Sequence, residues 1–198
     1  MKPQVKGIET LQKSFAEAKP FKHVAIPNFL SAEDRQKLLE ALGKEDFTRR
    51  VTDLYSFWQT DDFKTTNNAC LKELRDHLRN EVVKVIAQIT GLKLTLGVID
   101  MHSAIYRDTD HLLCHDDRLD GRKVAFMIYL SSLSPGEGGA LELYDSHEGE
   151  PTKVAKRIVP SAGTLLIFEV SPISFHAVSE LVVAKDRIAI AGWFHGTD

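Results

Sequence analysis

The chain has little of what marks a secreted or membrane-embedded protein. Two cysteines, Cys70 and Cys114, occur in 198 residues. That number is too small for a disulfide framework, so we expect a reducing compartment. No apolar stretch approaches the roughly 20 residues of a membrane span, and the N-terminus lacks the apolar run of a signal peptide. We therefore expect a cytoplasmic protein, with the nucleus as the alternative, and no membrane partner.

An excess of positive charge is also missing. The 25 lysines and arginines are outnumbered by 28 aspartates and glutamates, which gives a formal net charge of −3. Without a basic field there is no general attraction for a polyanion, so we expect no direct nucleic-acid partner. The 43% of hydrophobic residues is enough to form the core of one domain.

The periodicity of apolar residues changes along the chain. Helical spacing occurs around Ile8–Phe15, after Ser31, and most strongly over Cys70–Thr90. From Leu92 onward, short strand-like segments follow one another, separated by Gly, Pro, Ser and Asp, with no parallel βαβ rhythm. This order predicts a mostly β fold with flanking N-terminal helices and a double-sheet roll, or jelly-roll, as its core. We expect a single domain over 1–198, with helical support and a substrate loop in 1–91 and the catalytic β-roll in 92–198.

A His-x-Asp pair stands at the centre of the strand-rich part. On an extended segment, His115 and Asp117 would point to the same side and could bind one metal ion. A third ligand must come from elsewhere, and His176 is the best candidate. Two histidines and one carboxylate with open positions form the triad of non-haem Fe(II) oxygenases. The plainer alternative is a core histidine at 176 and a solvated turn at Asp117.

Two residues are candidates for binding an anionic cosubstrate beside such a metal. Arg187 begins a strand-like segment after His176, and its guanidinium could bind the far carboxylate of a dicarboxylate by paired hydrogen bonds. Tyr129 could share that carboxylate through its hydroxyl, although an ordinary core tyrosine is an equal reading.

Other metal-ligating side chains compete with this set. The i, i+4 spacing of His111 and His115 would suit a helical zinc pair, but His111 adjoins a turn and no glutamate follows where such a pair requires it. Cys114 is better explained as a small buried side chain than as a soft ligand. Further histidines in the strand-rich region are His102, His147 and His195.

An aromatic-rich segment between Phe47 and Phe63 contains interspersed acidic residues. It predicts a strand or hairpin with a mobile loop. It would form either an edge of the core or a lid over the site that grips a peptide, for which Tyr55 and Trp58 are the candidate contacts. The sequence leaves both open.

Several motifs together resemble the 2-oxoglutarate- and Fe(II)-dependent oxygenases of the prolyl-hydroxylase superfamily. The chain is most similar to the subgroup that hydroxylates a proline of a small-subunit ribosomal protein. The matching stretches, which extend from about Val24 onward, include Asp53–Phe57, Gln59–Asp62, Leu112–Asp117, Gly121–Phe126, Tyr129–Leu130, Gly138–Leu141, Phe168–His176 and Gly192–Gly196.

This resemblance implies a double-stranded β-helix with His115, Asp117 and His176 as iron ligands. It implies that Arg187 and Tyr129 hold the 2-oxoglutarate carboxylate, and that the loop at Asp53 covers the substrate. Fe(II), 2-oxoglutarate and O₂ are then required, with ascorbate as a reductant, and the product is hydroxyproline in a protein. Two differences from the family are visible: eukaryotic members carry a second roll, and Ala189 stands where relatives often have a hydroxyl.

Two other functions are compatible with the same residues. The iron chemistry could act on a small molecule such as a free amino acid. Alternatively, the roll could be a non-catalytic binding module, which would show no Fe(II)-dependent stabilisation.

Overall fold

The computed structural model describes residues 5–197. Residues 1–4 and Asp198 lie outside this range. The predictions about the N-terminal segment and about the end of the single domain therefore fall partly outside the described residues. Within it, the α-helices are α1 (Ile8–Glu17), α2 (Ala32–Leu42), α3 (Ala69–His77) and α4 (Val83–Thr90). None of these is both long enough and apolar enough to cross a membrane.

Local chemistry explains where the helices begin and end. Ser31 caps α2, because its hydroxyl accepts a hydrogen bond from the backbone N–H of Asp34 at 3.0 Å. Gly91 ends α4 in the left-handed conformation. The prediction of one uniform helix over Cys70–Thr90 was wrong in detail, because a π-helical turn at Leu78–Val82 separates α3 from α4. This turn shifts the apolar stripe, and Val82 and Val83 are both buried.

All strand pairs are antiparallel and belong to one strongly curled sheet. Among residues 5–197 the strand order is β1-β9-β6-β11-β4-β3-β5-β10-β7-β8, with β2 paired to β3. The strands are β1 (His23–Ile26), β2 (Thr48–Val51), β3 (Tyr55–Gln59), β4 (Leu94–Tyr106), β5 (His111–His115), β6 (Arg122–Tyr129), β7 (Leu141–His147), β8 (Glu150–Ile158), β9 (Leu165–Glu169), β10 (His176–Val178) and β11 (Arg187–Gly196). The predicted mostly β fold, with N-terminal helices flanking a double-stranded β-helix, is confirmed.

One predicted loop is instead a tight hairpin. Asp145, Gly149 and Pro151 are typical loop residues and predict an irregular loop over residues 145–151, but β7 continues to His147 and β8 begins at Glu150. Glu148 and Gly149 between them have φ values of 52° and 83°. Two successive positive φ values are the geometry of a type I′ turn, which matches the twist of the flanking strands.

Strand alternation divides the interior into two apolar clusters. On β6, Phe126 and Ile128 pack against the helices, whereas Ala125 and Tyr129 point the other way. The second cluster lies between the inner face of β4, β6, β9 and β11 and the strands β7 and β10. Leu143 of β7, for example, packs in it. The helices therefore support one face of the sheet and leave the inside of the roll for a site.

Strands β11 and β4 approach each other closely at Gly192. A methyl group there would overlap the backbone oxygen of Asp100 and lie 2.9 Å from Phe126 Cζ. We expect Gly192→Ala to lower the free energy of unfolding by about 3 kcal/mol, measured by urea denaturation. Gly43→Ala is the control, because its nearest atoms lie 3.6 Å away, and it should change stability by less than about 0.5 kcal/mol. Equal effects of the two substitutions would contradict the packing described here.

Candidate active site

The three predicted metal ligands converge at the ends of two paired strands. His115 is the last residue of β5 and pairs with His176, the first residue of β10. Their ring centroids are 4.1 Å apart. Asp117 places Oδ1 3.3 Å from His115 Nε2 and Oδ2 3.4 Å from His176 Nε2. One ligand atom from each residue lies within 4.8 Å of the others, so together they can hold one ion.

The reason for this convergence differs from the one inferred from the sequence. Strand β5 ends at His115, and Asp117 has a φ of 62°. Aspartate is among the few residues that tolerate this left-handed conformation. A turn, rather than the alternation of an extended strand, therefore brings the carboxylate back to the imidazoles.

Backbone carbonyls orient both imidazole rings. The Nδ1 of His115 lies 2.9 Å from the oxygen of Leu113, and the Nδ1 of His176 lies 2.8 Å from the oxygen of Ser174. A carbonyl oxygen only accepts, so each Nδ1 must carry the proton and donate it. Each Nε2 is then left on the side of Asp117, from which a neutral ring would direct its lone pair at a metal ion.

The electrostatics of the triad favour a cation. Burial alone would raise the pKa of Asp117, but its hydrogen bonds with His115 and His176 hold that pKa well below the usual range. Burial lowers the pKa of His115, yet the Asp117 carboxylate outweighs it and the net shift is upward. A metal ion would replace the protons that otherwise neutralise this carboxylate, so its affinity should fall as the pH falls.

A cavity of about 180 Å³ extends from the triad into the roll. Arg187 lines it and is only 2% exposed. Its Nε donates to the backbone oxygen of Gly139 at 2.7 Å, while its Nη2 is buried without a hydrogen-bond partner. A buried guanidinium nitrogen without a partner is costly, and a carboxylate from a bound ligand would satisfy it.

Two tyrosines flank this guanidinium, and sequence reasoning singled out only one. The Arg187 Cζ lies 4.9 Å from the ring of Tyr106 and 5.4 Å from that of Tyr129. Tyr106 lines the cavity, whereas Tyr129 packs behind it with its hydroxyl 4.0 Å from Met127 Sδ. Burial raises the pKa of both hydroxyls, so each keeps its proton as a donor. The signal for Tyr106 was the two-residue alternation of β4.

Strands β2 and β3 form a hairpin within the aromatic-rich segment, which we call the aromatic hairpin. It lines the cavity through other residues than those predicted. Phe57 and Gln59 of β3 line it. Trp58 points to the opposite face, because neighbouring strand residues alternate, and Arg49 and Arg107 lie over its ring at 5.6 and 5.1 Å.

The other two predicted substrate contacts lie outside the cavity lining. The ring of Tyr55 packs 5.2 Å from that of Phe57, while Asp53 is exposed in the turn between β2 and β3. A role for Asp53, Tyr55 and Trp58 in binding substrate stays a prediction.

The competing ligands lie apart from the triad. Burial lowers the pKa of His102, which lines the cavity, to about 4. His195 Nε2 is bound to Asp100 Oδ2 at 2.8 Å, and the Nδ1 of His111 contacts the Thr109 oxygen at 3.2 Å. Across residues 5–197, only His115, Asp117 and His176 form a cluster that could hold a metal.

The chain matches known proteins in sequence. Residues 101–195 match the family model of the 2OG-Fe(II) oxygenase superfamily. The chain is 42% identical over 184 residues to prolyl 3-hydroxylase OGFOD1 of Mus musculus. This alignment covers 89% of this chain and 33% of the mouse protein. It is 34% identical over 208 residues to prolyl 3,4-dihydroxylase OGFOD1 of Ostreococcus tauri, covering 95% and 40%. The chain thus spans between a third and two-fifths of these relatives.

Solved structures share the fold. A prolyl-4-hydroxylase of Pseudomonas putida aligns with a TM-score of 0.73 at 19% identity, covering 95% of this chain and all of that one. A prolyl hydroxylase of Trichoplax adhaerens, in complex with a peptide fragment of the hypoxia inducible factor oxygen degradation domain, gives 0.70 at 21% identity, covering 96% and 90%. At such identities the likeness concerns the architecture alone.

Proposed function

We propose that the protein is a 2-oxoglutarate- and Fe(II)-dependent dioxygenase that hydroxylates a prolyl residue in a protein, because residues 101–195 match the family model of the 2OG-Fe(II) oxygenase superfamily and the similar proteins include prolyl hydroxylases. The observation that carries the proposal is the combination of the triad and the orphaned Arg187 in one cavity. Neither feature alone points to a dicarboxylate beside a metal, but the two together support one.

The donor set suits Fe(II). His115 and His176 would supply neutral nitrogens and Asp117 one negative charge, which leaves a net charge of about +1 and open positions on the metal. Arg187 would bind the far carboxylate of 2-oxoglutarate through its free Nη2, with the Tyr106 hydroxyl beside it. A bound Fe(II) would supply the chemistry that converts 2-oxoglutarate and O₂ to succinate and CO₂, while the second oxygen atom is inserted into a C–H bond of the substrate.

The rest of the cavity prepares this reaction. Leu112, Leu141 and Val178 form an apolar wall that limits the access of water. On the opposite wall, the small side chains of Ala189 and Ala191 on β11 leave space in the cavity. Because position 189 carries no hydroxyl, the carboxylate would be bound mainly by Arg187 and Tyr106, and the predicted role of Tyr129 stays a prediction.

The protein substrate is inferred from the relatives. Prolyl 3-hydroxylases are 40–42% identical to this chain, and the matched region includes both the triad and the aromatic hairpin. We therefore infer that the target proline belongs to a protein, such as a small-subunit ribosomal protein, and that it enters the cavity that Gln59 helps to line.

A peptide screen tests this function. The protein would be incubated with Fe(II), 2-oxoglutarate, ascorbate and proline-containing peptides, including ribosomal ones, and analysed by mass spectrometry. We expect a gain of one oxygen atom on a prolyl residue, and none with His176→Ala. Succinate formation without any modified peptide, together with oxidation of a free amino acid, would replace the protein substrate by a small molecule.

A further inference from the structure

The carboxylate of Asp117 has a second partner besides the two imidazoles. The indole Nε1 of Trp193 donates a hydrogen bond to Asp117 Oδ2 at 3.0 Å. Trp193 lies on β11, on the wall facing the triad, and it lines the same cavity. A half-buried tryptophan usually finds a partner for its N–H, but here that partner is a predicted metal ligand.

The indole ring is itself fixed in place. The guanidinium carbon of Arg122 lies 3.4 Å from the centroid of the Trp193 ring, a close cation–π contact. The ring of His102 packs against the indole as well, with centroids 5.7 Å apart. Arg122 and Trp193 come from neighbouring strands, because β6 pairs with β11 from Arg122 to Tyr129. The direction of the N–H is therefore set by the sheet and not by a mobile loop.

We propose that Trp193 is a positioning residue for the metal site and that Arg122 holds the indole ring of Trp193 in place. The indole N–H occupies Asp117 Oδ2 and prevents the carboxylate from rotating. Asp117 would then offer mainly its Oδ1 to a metal held by the triad, which would leave other positions for cosubstrate and O₂. This inference rests on the proposed Fe(II) site.

The alternative role for Trp193 is apolar packing, since it also borders the inner apolar cluster. The two roles predict different results for Trp193→Phe. Phenylalanine keeps an aromatic ring for packing and for Arg122 but has no N–H. A packing role predicts an unchanged metal affinity, with any effect confined to the stability of the metal-free protein, whereas a positioning role predicts a loss of metal affinity at nearly constant stability.

The test measures Co(II) binding to the full chain after metal removal, by calorimetric titration, together with the Tm of the metal-free protein. We expect Trp193→Phe to raise the Kd for Co(II) by about 10- to 100-fold, the usual cost of losing a hydrogen bond to a ligand. Trp58→Phe is the matched control, because Trp58 lies on the other face of β3, where Arg49 and Arg107 contact its ring. It should leave the Kd for Co(II) within about twofold of the original value.

Arg122→Gln provides a second variant that keeps the indole N–H. Losing the stacked guanidinium should raise the Kd for Co(II) in the same direction but by less. A Trp193→Phe variant that binds Co(II) as tightly as the original protein would overturn the positioning role; if that variant does not fold, an unchanged Kd in Arg122→Gln would do so. Co(II) binding that His176→Ala abolishes would keep the proposed metal site in either case, whereas no Co(II) binding by the original protein would overturn both.

Discussion

Arg187→Ala should weaken 2-oxoglutarate binding by about 100-fold while leaving Co(II) affinity within about threefold. Arg187 is buried, and its Nη2 has no partner within the described residues. Removing one member of a buried charge pair usually costs about 2–5 kcal/mol, and 100-fold corresponds to about 2.7 kcal/mol. His115 and His176 lie on β5 and β10, and Asp117 follows β5, whereas Arg187 lies on β11, so the two affinities should separate.

Arg187→Lys sharpens this prediction. Lysine keeps the positive charge but cannot present two parallel N–H groups to a carboxylate. Its affinity for 2-oxoglutarate, measured calorimetrically in the presence of Co(II), should lie between those of the alanine variant and the original protein. An equal loss of metal and 2-oxoglutarate affinity in both variants would mean that Arg187 supports the fold instead of the cosubstrate.

Asp117→Asn should abolish metal binding more completely than any other single isosteric change. Losing an outer hydrogen bond costs about 10- to 100-fold in metal affinity, so losing the one charged ligand should raise the Kd for Co(II) by more than roughly 100-fold. Asparagine keeps the shape and tolerates the positive φ at this position, so the turn should survive.

Asp116→Asn is the matched control for that substitution. Asp116 is the neighbouring carboxylate, and its side chain is bound to Arg118 at 2.7 Å instead of facing the imidazoles. Its Co(II) affinity should stay within about threefold of the original value. If Asp117→Asn bound Co(II) normally while Asp116→Asn did not, the assignment of the carboxylate ligand would be wrong.

Much of the fold follows from local patterns. The change from helical spacing to short alternating segments predicts helices before a roll, and it does so because each period buries one face of its element. The pattern could not reveal the π-helical turn at Leu78–Val82, since the apolar residues around it fit a regular helix equally well. It also missed the hairpin at Glu148 and Gly149, where the turn conformation of glutamate was not expected.

The site shows the same division. His115, Asp117 and His176 were predictable because few residue types bind iron and their order is distinctive. The positive φ of Asp117 and the hydrogen bond from Trp193 depend on how β11 faces β5 across the roll. Such contacts join residues far apart in sequence, so local periodicity carries no information about them.

The facing of single strand residues was the least predictable feature. Tyr106 and Gln59 line the cavity, while Trp58 does not. Alternation fixes which residues share a face, but the choice of face depends on the partner strand. A shift of one residue between β3 and β4 would have exchanged Trp58 for Gln59.

The most direct test of the triad measures succinate. The protein would be loaded with Fe(II) and 2-oxoglutarate without oxygen, then exposed to O₂, with His176→Ala treated in parallel. Succinate from the original protein alone would establish a 2-oxoglutarate-dependent oxygenase that acts through this triad. Equal succinate from both proteins, or none from the original protein, would contradict the metal site at His115, Asp117 and His176.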